Sequence, residues 1–556
     1  MSRPDVSPEA VRYAVPSTVP HHRQLPPTEV RTRSTRDGGE RPAPSADWWQ
    51  DAVFYEVYPR SFAGGDGDGV GDLVGLRRRL DYLRWLGVDA LWLAPFYPSP
   101  MRDFGYDVTD HCEVDPRFGT LDDFDEVLRL AHDAGLRVIV DWVGNHVSVD
   151  HPWFVEAASS RHARTRDWFI WADGDEESPP NNWRAAFGDP AWSWHAESAS
   201  WYLHYFHASQ PDLNWANDEL REELLATLEF WLDRGVDGFR FDVPHCFGKD
   251  PTLADQPEHL LTYRQSMLND REETAPHLAA IRDRVDRYPG RVTVGEVNLR
   301  EVGQLRRYVG PRAFDMVFNF PAMRAEWRPD AWRQVIEDAE ATFVEGWPTW
   351  FLSNHDYSRH RSRLGGRPGL VGACATLLLT LRGTPFLYAG EELGLRDAVV
   401  PSELAQDPGG RDPNRAPIPW DAGPGHGWPA TPWLPFPPEA DERHATSMAS
   451  EPTSDLHTYR RLLALRRARP ALRRGTIDLL AVTDQVLAYR RSFEDEHLAV
   501  LVNMTDRPAT CDLEGAMGRV AFSTSWGREG ATFDGTLGPD EGLVVDINGG
   551  GAHVEG

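Results

Sequence analysis

The chain has 556 residues, 41% of them hydrophobic, which is enough for a large core and for more than one folding unit. Its net charge of −28 with neutral histidines argues against nucleic acid or an anionic membrane surface as a partner. There is no apolar run of roughly 18 residues and no apolar leader region, so a soluble, cytoplasmic protein without a membrane partner is expected.

Residues 1–46 are rich in Pro, Ser, Thr and Arg and lack apolar periodicity, so a disordered N-terminal extension is expected. Order is expected to begin near Trp48-Trp49. The run 52–59 (AVFYEVYP) reads as a first strand, Leu73 to Leu86 as a helix and 88–96 (VDALWLAPF) as a second strand. Leu121 to Ala134 reads as a helix and 136–143 (LRVIVDWV) as a third strand. Strands alternating with helices predict a parallel sheet with right-handed crossovers.

The rhythm breaks over 147–212, which is rich in Trp, His, Ser, Pro and Asn without regular period. A structureless loop of that length is unusual, so a small inserted subdomain is expected there. Alternation resumes with a helix at Glu219–Asp233 and continues through the runs 236–243, 292–297, 316–320, 349–354 and 384–390. That makes eight strand candidates. From about 475 the pattern changes to short alternating strands such as 485–493 and 497–504, an antiparallel C-terminal β domain. The predicted fold is a (β/α)8 barrel over 47–146 and 213–470, with the insert at 147–212 and a C-terminal antiparallel β-sandwich at 471–556. The cysteines Cys112, Cys246, Cys374 and Cys511 match no metal or redox spacing and read as free thiols.

Three acidic residues close three of the apolar runs: Asp242 in GFRFDV, Glu296 in VTVGEV and Asp356 in FLSNHD. Carboxylates at the carboxyl ends of barrel strands are how this fold presents an active site, and convergent carboxylates are what glycosidic bond cleavage needs. Arg240 and Asp242 are two apart on a strand and so share a face. Taken alone the pair also fits a structural ion pair. Functionally, Arg240 would hold Asp242 ionised, as a nucleophile requires. In an apolar pocket the Glu296 carboxyl would be pushed up, as a general acid requires. His355 stands before Asp356, and alone the two also fit a core histidine and a helix N-cap; Asn145-His146 at the end of DWVGNH make a fourth polar strand end. Four such clusters are hard to assign to stability, because charged interior groups are costly.

Together these four segments resemble the conserved regions of the α-amylase superfamily, glycoside hydrolase family 13. QPDLNW (210–215) and GRDPNRAPIPW (410–420) resemble its oligo-1,6-glucosidase and α-glucosidase branch, and GFRFDVPH with Lys249-Asp250-Pro251 resembles α-glucosidases of high-GC Gram-positive bacteria. The resemblance runs from about residue 48 to the end. It implies Asp242 as nucleophile, Glu296 as acid/base and Asp356 as transition-state stabiliser. It implies that His146, Arg240 and His355 bind the sugar, that Phe206 lies under its ring, and that Asp103 and Tyr106 form the far wall. It also implies that Arg415 closes the pocket with Asp103, which makes the enzyme an exo-acting α-glucosidase on small α-glucosides. The loop 64–72 (GGDGDGVGD) matches a structural calcium-type site with Asp66, Asp68, Asp72 and the Val70 carbonyl as ligands. Gly64 departs from the acidic residue many relatives carry there, and a plain Gly/Asp turn is the other reading. Val243, after the nucleophile, tends to accompany α-1,6 activity in this branch. No organic cofactor is implied, and a monomer or homodimer is expected. Two rivals stand beside this reading. One is a sister activity on the same fold (trehalose-forming isomerase, glucanotransferase or sucrose-active enzyme). The other is a non-catalytic carbohydrate-binding or transporter-associated relative, which would lose residues of the triad.

Overall fold

The computed structural model describes residues 46–257, 267–480, 483–513 and 518–547. The disorder expected for 1–46 falls, but for its last residue, outside them. In chain order the strands are β1 (Phe54–Val57), β2 (Ala90–Leu93) and β3 (Arg137–Val143). Next come β4 (Trp171–Ala172), β5 (Trp192–His195) and β6 (Ser200–Leu203), then β7 (Gly238–Asp242), β8 (Val292–Gly295), β9 (Met316–Val317), β10 (Thr349–Trp350) and β11 (Thr384–Tyr388). The chain ends with β12 (Thr476–Leu479), β13 (Val486–Phe493), β14 (Glu496–Asn503), β15 (Ala509–Thr510), β16 (Arg519–Ser523), β17 (Thr536–Leu537) and β18 (Gly542–Asp546).

Eight strands pair in the order β10-β11-β1-β2-β3-β7-β8-β9, every pair parallel. The two end strands meet through a side chain: the buried Thr349 hydroxyl donates to the Val317 carbonyl (2.7 Å) and accepts from the Asn319 N–H (3.2 Å). The sheet is therefore a nearly closed (β/α)8 barrel, as predicted. The crossover helices are delimited by local chemistry. Leu121–Ala134 begins at a capping box between Thr120 and Asp123, and Asp218–Arg234 begins with Asn217 accepting from the Leu220 N–H. Both stop at a left-handed glycine, Gly135 and Gly235.

Alternation sorts each strand into two faces. Leu91, Leu93, Val138, Val140, Phe239 and Phe241 pack against the helices. Phe54, Ala90, Trp92, Ile139, Val292, Val294 and Phe386 form a separate apolar cluster in the barrel interior. On β1, β3 and β7 that interior face turns charged toward the carboxyl end, with Glu56, Asp141, Arg240 and Asp242, all buried. At Gly238 a Cβ would lie 2.0 Å from the Val292 carbonyl, so only glycine lets β7 approach β8 this closely.

The insert after β3 is more regular than its composition suggests. A helix at Pro152–Ser159 is followed by an antiparallel sheet of order β4-β6-β5. Its return is tied to the barrel by a bridge between His146 and Asp212. The C-terminal part is a five-stranded antiparallel sheet, β12-β13-β14-β18-β16, with a separate ribbon of β15 and β17. The wholly buried helix Leu370–Thr380 lies against this sheet, and at Gly542 a Cβ would meet the Thr376 hydroxyl at 2.2 Å. All four cysteines are free. Among the described residues no helix is long and apolar enough to cross a membrane.

Candidate active site

A cavity of about 340 Å³ opens at the carboxyl ends of the barrel strands. Asp103, Tyr106, His146, Phe206, Asp242, Val243, Glu296 and Asp356 line it. The structure thus brings the whole predicted triad and four predicted sugar contacts to one pocket. Arg240 and His355 lie directly beneath it, fully buried.

The organising group is the Arg240 guanidinium. Nη1 donates to Asp141 Oδ1 (2.7 Å) and Asp242 Oδ1 (2.9 Å), and Nη2 lies 2.5 Å from Glu296 Oε2. Asp242 ends β7 and Glu296 follows β8, so the parallel register sets the two carboxyls side by side. Both bind the same guanidinium, and each shifts the other's protonation. Burial pushes Glu296 up to about 7 against the pull of Arg240, and the nearby Asp356 and Asp141 charges add to the rise. Asp242 is also raised by burial, opposed by Arg240 and reinforced by Glu296. One guanidinium cannot keep three buried carboxyls ionised, so the pair retains a proton near neutral pH. Val243, next in the chain, adopts a left-handed backbone (φ +36°), which is strained for a β-branched residue.

A second cluster surrounds His355. Glu56 on β1 accepts from the His355 N–H (3.2 Å) and lies 2.5 Å from its Nδ1, and Tyr106 Oη lies 2.7 Å from Nε2. Burial pushes His355 down to about 3 and His146 to about 4, so both imidazoles are neutral at pH 7. Burial would raise Asp356, but His355, Arg411, Arg415 and Arg240 outweigh it and hold the carboxyl well below the usual carboxylate range. With His355 neutral, the two arginines of the 411–415 segment carry most of that effect. The three acidic residues therefore differ in state: a proton-sharing pair and a permanent anion, the division of labour a glycosidase needs.

One predicted contact is corrected. Arg411, not Arg415, faces Asp103: its Nη2 lies 2.5 Å from Asp103 Oδ1 and its Nη1 3.1 Å from Asp356 Oδ1. Arg415 is fully buried; its Nε donates to the His355 carbonyl (2.8 Å) and its Nη2 to Asp356 Oδ1 (2.9 Å). The reason is backbone geometry. Asp412–Arg415 is a 3-10 turn whose last carbonyl accepts from Ser61 Oγ, so Arg415 points under the pocket and Arg411 reaches over it.

The metal expectation also meets a different arrangement. Asp72 accepts from the N–H groups of Gly75 (2.6 Å), Gly65 (2.8 Å) and Asp66 (3.1 Å). Asp66 accepts from the Asp68 N–H and Asp68 from the Val70 N–H. These carboxylates serve as turn and N-cap acceptors, and among the described residues no three such side chains converge on one point. The loop thus holds Asp66, Asp68 and Asp72 near one another, with Asp68 raised by burial and by the Asp66 and Asp72 charges.

Sequence reasoning missed Asp141 and Glu56 beneath the pocket, and Arg411, Asn298 and Tyr357, which line it. Asp141 and Glu56 were within reach, since each interrupts an apolar strand on the face that β7 makes charged.

A parallel barrel carrying a buried, proton-sharing carboxyl pair and a third, ionised carboxylate at its carboxyl end has the groups that glycoside cleavage needs. Comparison narrows the class. Residues 56–475 match the family described as "Alpha amylase, catalytic domain", and 474–544 match a domain of unknown function (DUF3459). The chain is 40% identical to a probable alpha-glucosidase of Rhizobium meliloti over 84% of its length and 92% of that protein. It is 34% identical to the probable oligo-1,6-glucosidase 3 of Bacillus subtilis, over 83% and 92%. Among solved structures it resembles the alpha-glucosyl transfer enzyme XgtA, with TM-score 0.85 and 36% identity over 90% of this chain and 99% of that one. The protein belongs to the alpha-amylase family and is a glycoside hydrolase.

Two predictions follow from the geometry. The protonated form of the Asp242–Glu296 pair is the active one, so kcat/KM falls as pH rises through about 7. Glu296→Gln removes that limb; it costs at least about a hundredfold on alkyl glucosides but far less on p-nitrophenyl α-glucoside, whose leaving group needs no proton. An unchanged alkaline limb in the variant would remove Glu296 from the acid role. Arg411→Ala raises KM for small glucosides about tenfold, the effect of one lost charge-assisted contact, with little change in melting temperature. Arg415→Ala instead lowers the melting temperature, because it strips a buried cation from Asp356 and the His355 carbonyl. Thermal denaturation beside steady-state kinetics separates the two.

Proposed function

We propose that the protein is a retaining exo-α-glucosidase that releases glucose from the non-reducing end of short α-1,4 or α-1,6 glucosides. The observation that carries this reading is the closed end of the pocket, where Arg411 binds Asp103 and Asp356 together and is itself held by Asp407 (2.6 Å). A wall of paired charges suits the terminal hydroxyls of one sugar, and that is the arrangement expected of an exo-acting enzyme. A cavity of about 340 Å³ is at the small end of ligand sites, which favours a short substrate over a polysaccharide.

The carboxyl arrangement supports retention. An inverting pair stands about 6.5–9.5 Å apart to admit a water, whereas Asp242 and Glu296 are both drawn to the one Arg240 guanidinium, at 2.9 and 2.5 Å. Asp242 attacks the anomeric carbon as Glu296 gives its proton to the departing glycosidic oxygen. Glu296 then takes a proton from water, whose oxygen displaces Asp242 and frees glucose with its configuration kept. The anionic Asp356 stabilises the positive charge that develops on the ring, and Phe206, 5.1 Å from His146 between ring centroids, supplies an apolar face for it.

A second reading, transfer of the glucosyl unit to another sugar instead of water, is favoured by the likeness to an alpha-glucosyl transfer enzyme. One panel decides between the two: maltose, isomaltose, sucrose, trehalose and p-nitrophenyl α-glucoside, with products separated by chromatography. The expected result is free glucose as main product, with isomaltose accepted in keeping with Val243. An isomer or a longer glucan as main product would overturn the hydrolase reading.

A further inference from the structure

Lys249 is the only lysine in the chain, and it is not on the surface. Its side chain is 6% exposed. Nζ donates to Asn145 Oδ1 (2.7 Å) and to the Cys246 carbonyl, and lies 3.0 Å from Asp212 Oδ2. An ammonium has three N–H donors and no acceptor, and here three acceptors from three chain segments surround it. Asn145 lies in the loop after β3, next to His146. Asp212 lies on the return of the insert, six residues after Phe206. Cys246 closes the turn that follows the nucleophile Asp242.

The three acceptors are themselves connected to the pocket. The Asn145 Nδ2 donates to Asp212 Oδ1 (3.1 Å) and lies 3.2 Å from His146 Nδ1. Asp212 Oδ1 accepts from the Tyr205 N–H (3.0 Å), the residue before Phe206. On the same return, Gln210 donates to Asp103 (2.9 Å) and lies 3.1 Å from His146 Nε2. Asn145 and Asp212 are fully buried, so water does not substitute for the ammonium. We propose that Lys249 is a positioning residue: a buried cation that clamps the insert to the barrel and so sets the His146–Phe206 wall against the glucose-binding pocket. It touches neither substrate nor reacting atoms. The inference rests on the exo-glucosidase reading, since it is a glucosyl ring that the wall is set to receive.

Removing the cation alone leaves Asp212 a buried unpaired charge, and Lys249→Met is expected to fold poorly for that reason. The test therefore uses the double variant Lys249→Met with Asp212→Asn, which removes both charges, together with Lys249→Arg. Arg retains the charge, but its planar fork does not reproduce three converging N–H vectors. Glucose, as competitive product inhibitor, is the probe, because its Ki reads the glycone pocket apart from the chemistry. In the double variant, Ki for glucose and KM for p-nitrophenyl α-glucoside rise at least tenfold, kcat falls less than threefold, and the melting temperature stays within a few degrees. Lys249→Arg restores part of the glucose affinity. Unchanged Ki with a lowered melting temperature, or an unchanged Ki in every variant, overturns the clamp and makes Lys249 a stability residue only. A wild-type enzyme that releases no glucose overturns the exo-glucosidase reading instead.

Discussion

Everything in the pocket depends on one buried guanidinium. Arg240 sits inside the barrel, on the face that β7 turns inward, and three carboxyls compete for it. Water would screen such a group; the barrel interior does not. The consequence is electrostatic and unavoidable: a single positive charge cannot balance Asp141, Asp242 and Glu296 all ionised. A proton is therefore held within the Asp242–Glu296 pair to near-neutral pH, and in the proposed mechanism it is the one given to the departing sugar oxygen. The same cation keeps Asp242 aligned by a 2.9 Å hydrogen bond. Asp242 and Glu296 thus have one positioning group.

The remainder of the site keeps the third carboxylate distinct. Asp356 belongs to the β10 loop, not to a strand, and is not bonded to Arg240. Arg411 and Arg415 embrace it from above and below, with His355 neutral beside it. This division explains why the 411–415 segment carries two arginines with different work. Arg415 stabilises the loop from within, whereas Arg411 exposes part of its charge to the cavity and joins Asp103 to Asp356. The insert contributes the opposite wall through Phe206 and Gln210, which links pocket shape to how the insert is fastened to the barrel.

Much of this was legible in the sequence, and the reason is periodicity. Strand alternation puts Arg240 and Asp242 on one face regardless of other detail, and an acidic residue at the end of an apolar run has few structural explanations. Loops carry no such rule. GRDPNRAPIPW contains two arginines four apart, and only the 3-10 turn decides which one reaches Asp103. The Gly/Asp loop 64–72 looks like a cation loop by composition, yet its carboxylates are taken up by amides of the same turn. The insert reads as irregular because its strands, β4 to β6, are two to four residues long, too short to show a period. For Asp141 and Glu56 the charge itself is visible in the sequence, and only the partner is not. Each is a single charge inside an apolar run, and its partner comes from a segment about 100 residues away or more, Arg240 on β7 for Asp141 and His355 in the loop after β10 for Glu56.

The central claim is that Arg240 divides the labour, so that Asp242 attacks while Glu296 keeps the proton. It is tested most directly by trapping the intermediate. Incubation with 5-fluoro-α-glucosyl fluoride, whose fluorine destabilises the positive charge of turnover, followed by proteolysis and mass spectrometry, should find one fluoroglucosyl group on the peptide that contains Asp242. An adduct on Glu296 or Asp356, or turnover without any covalent adduct, would contradict the account.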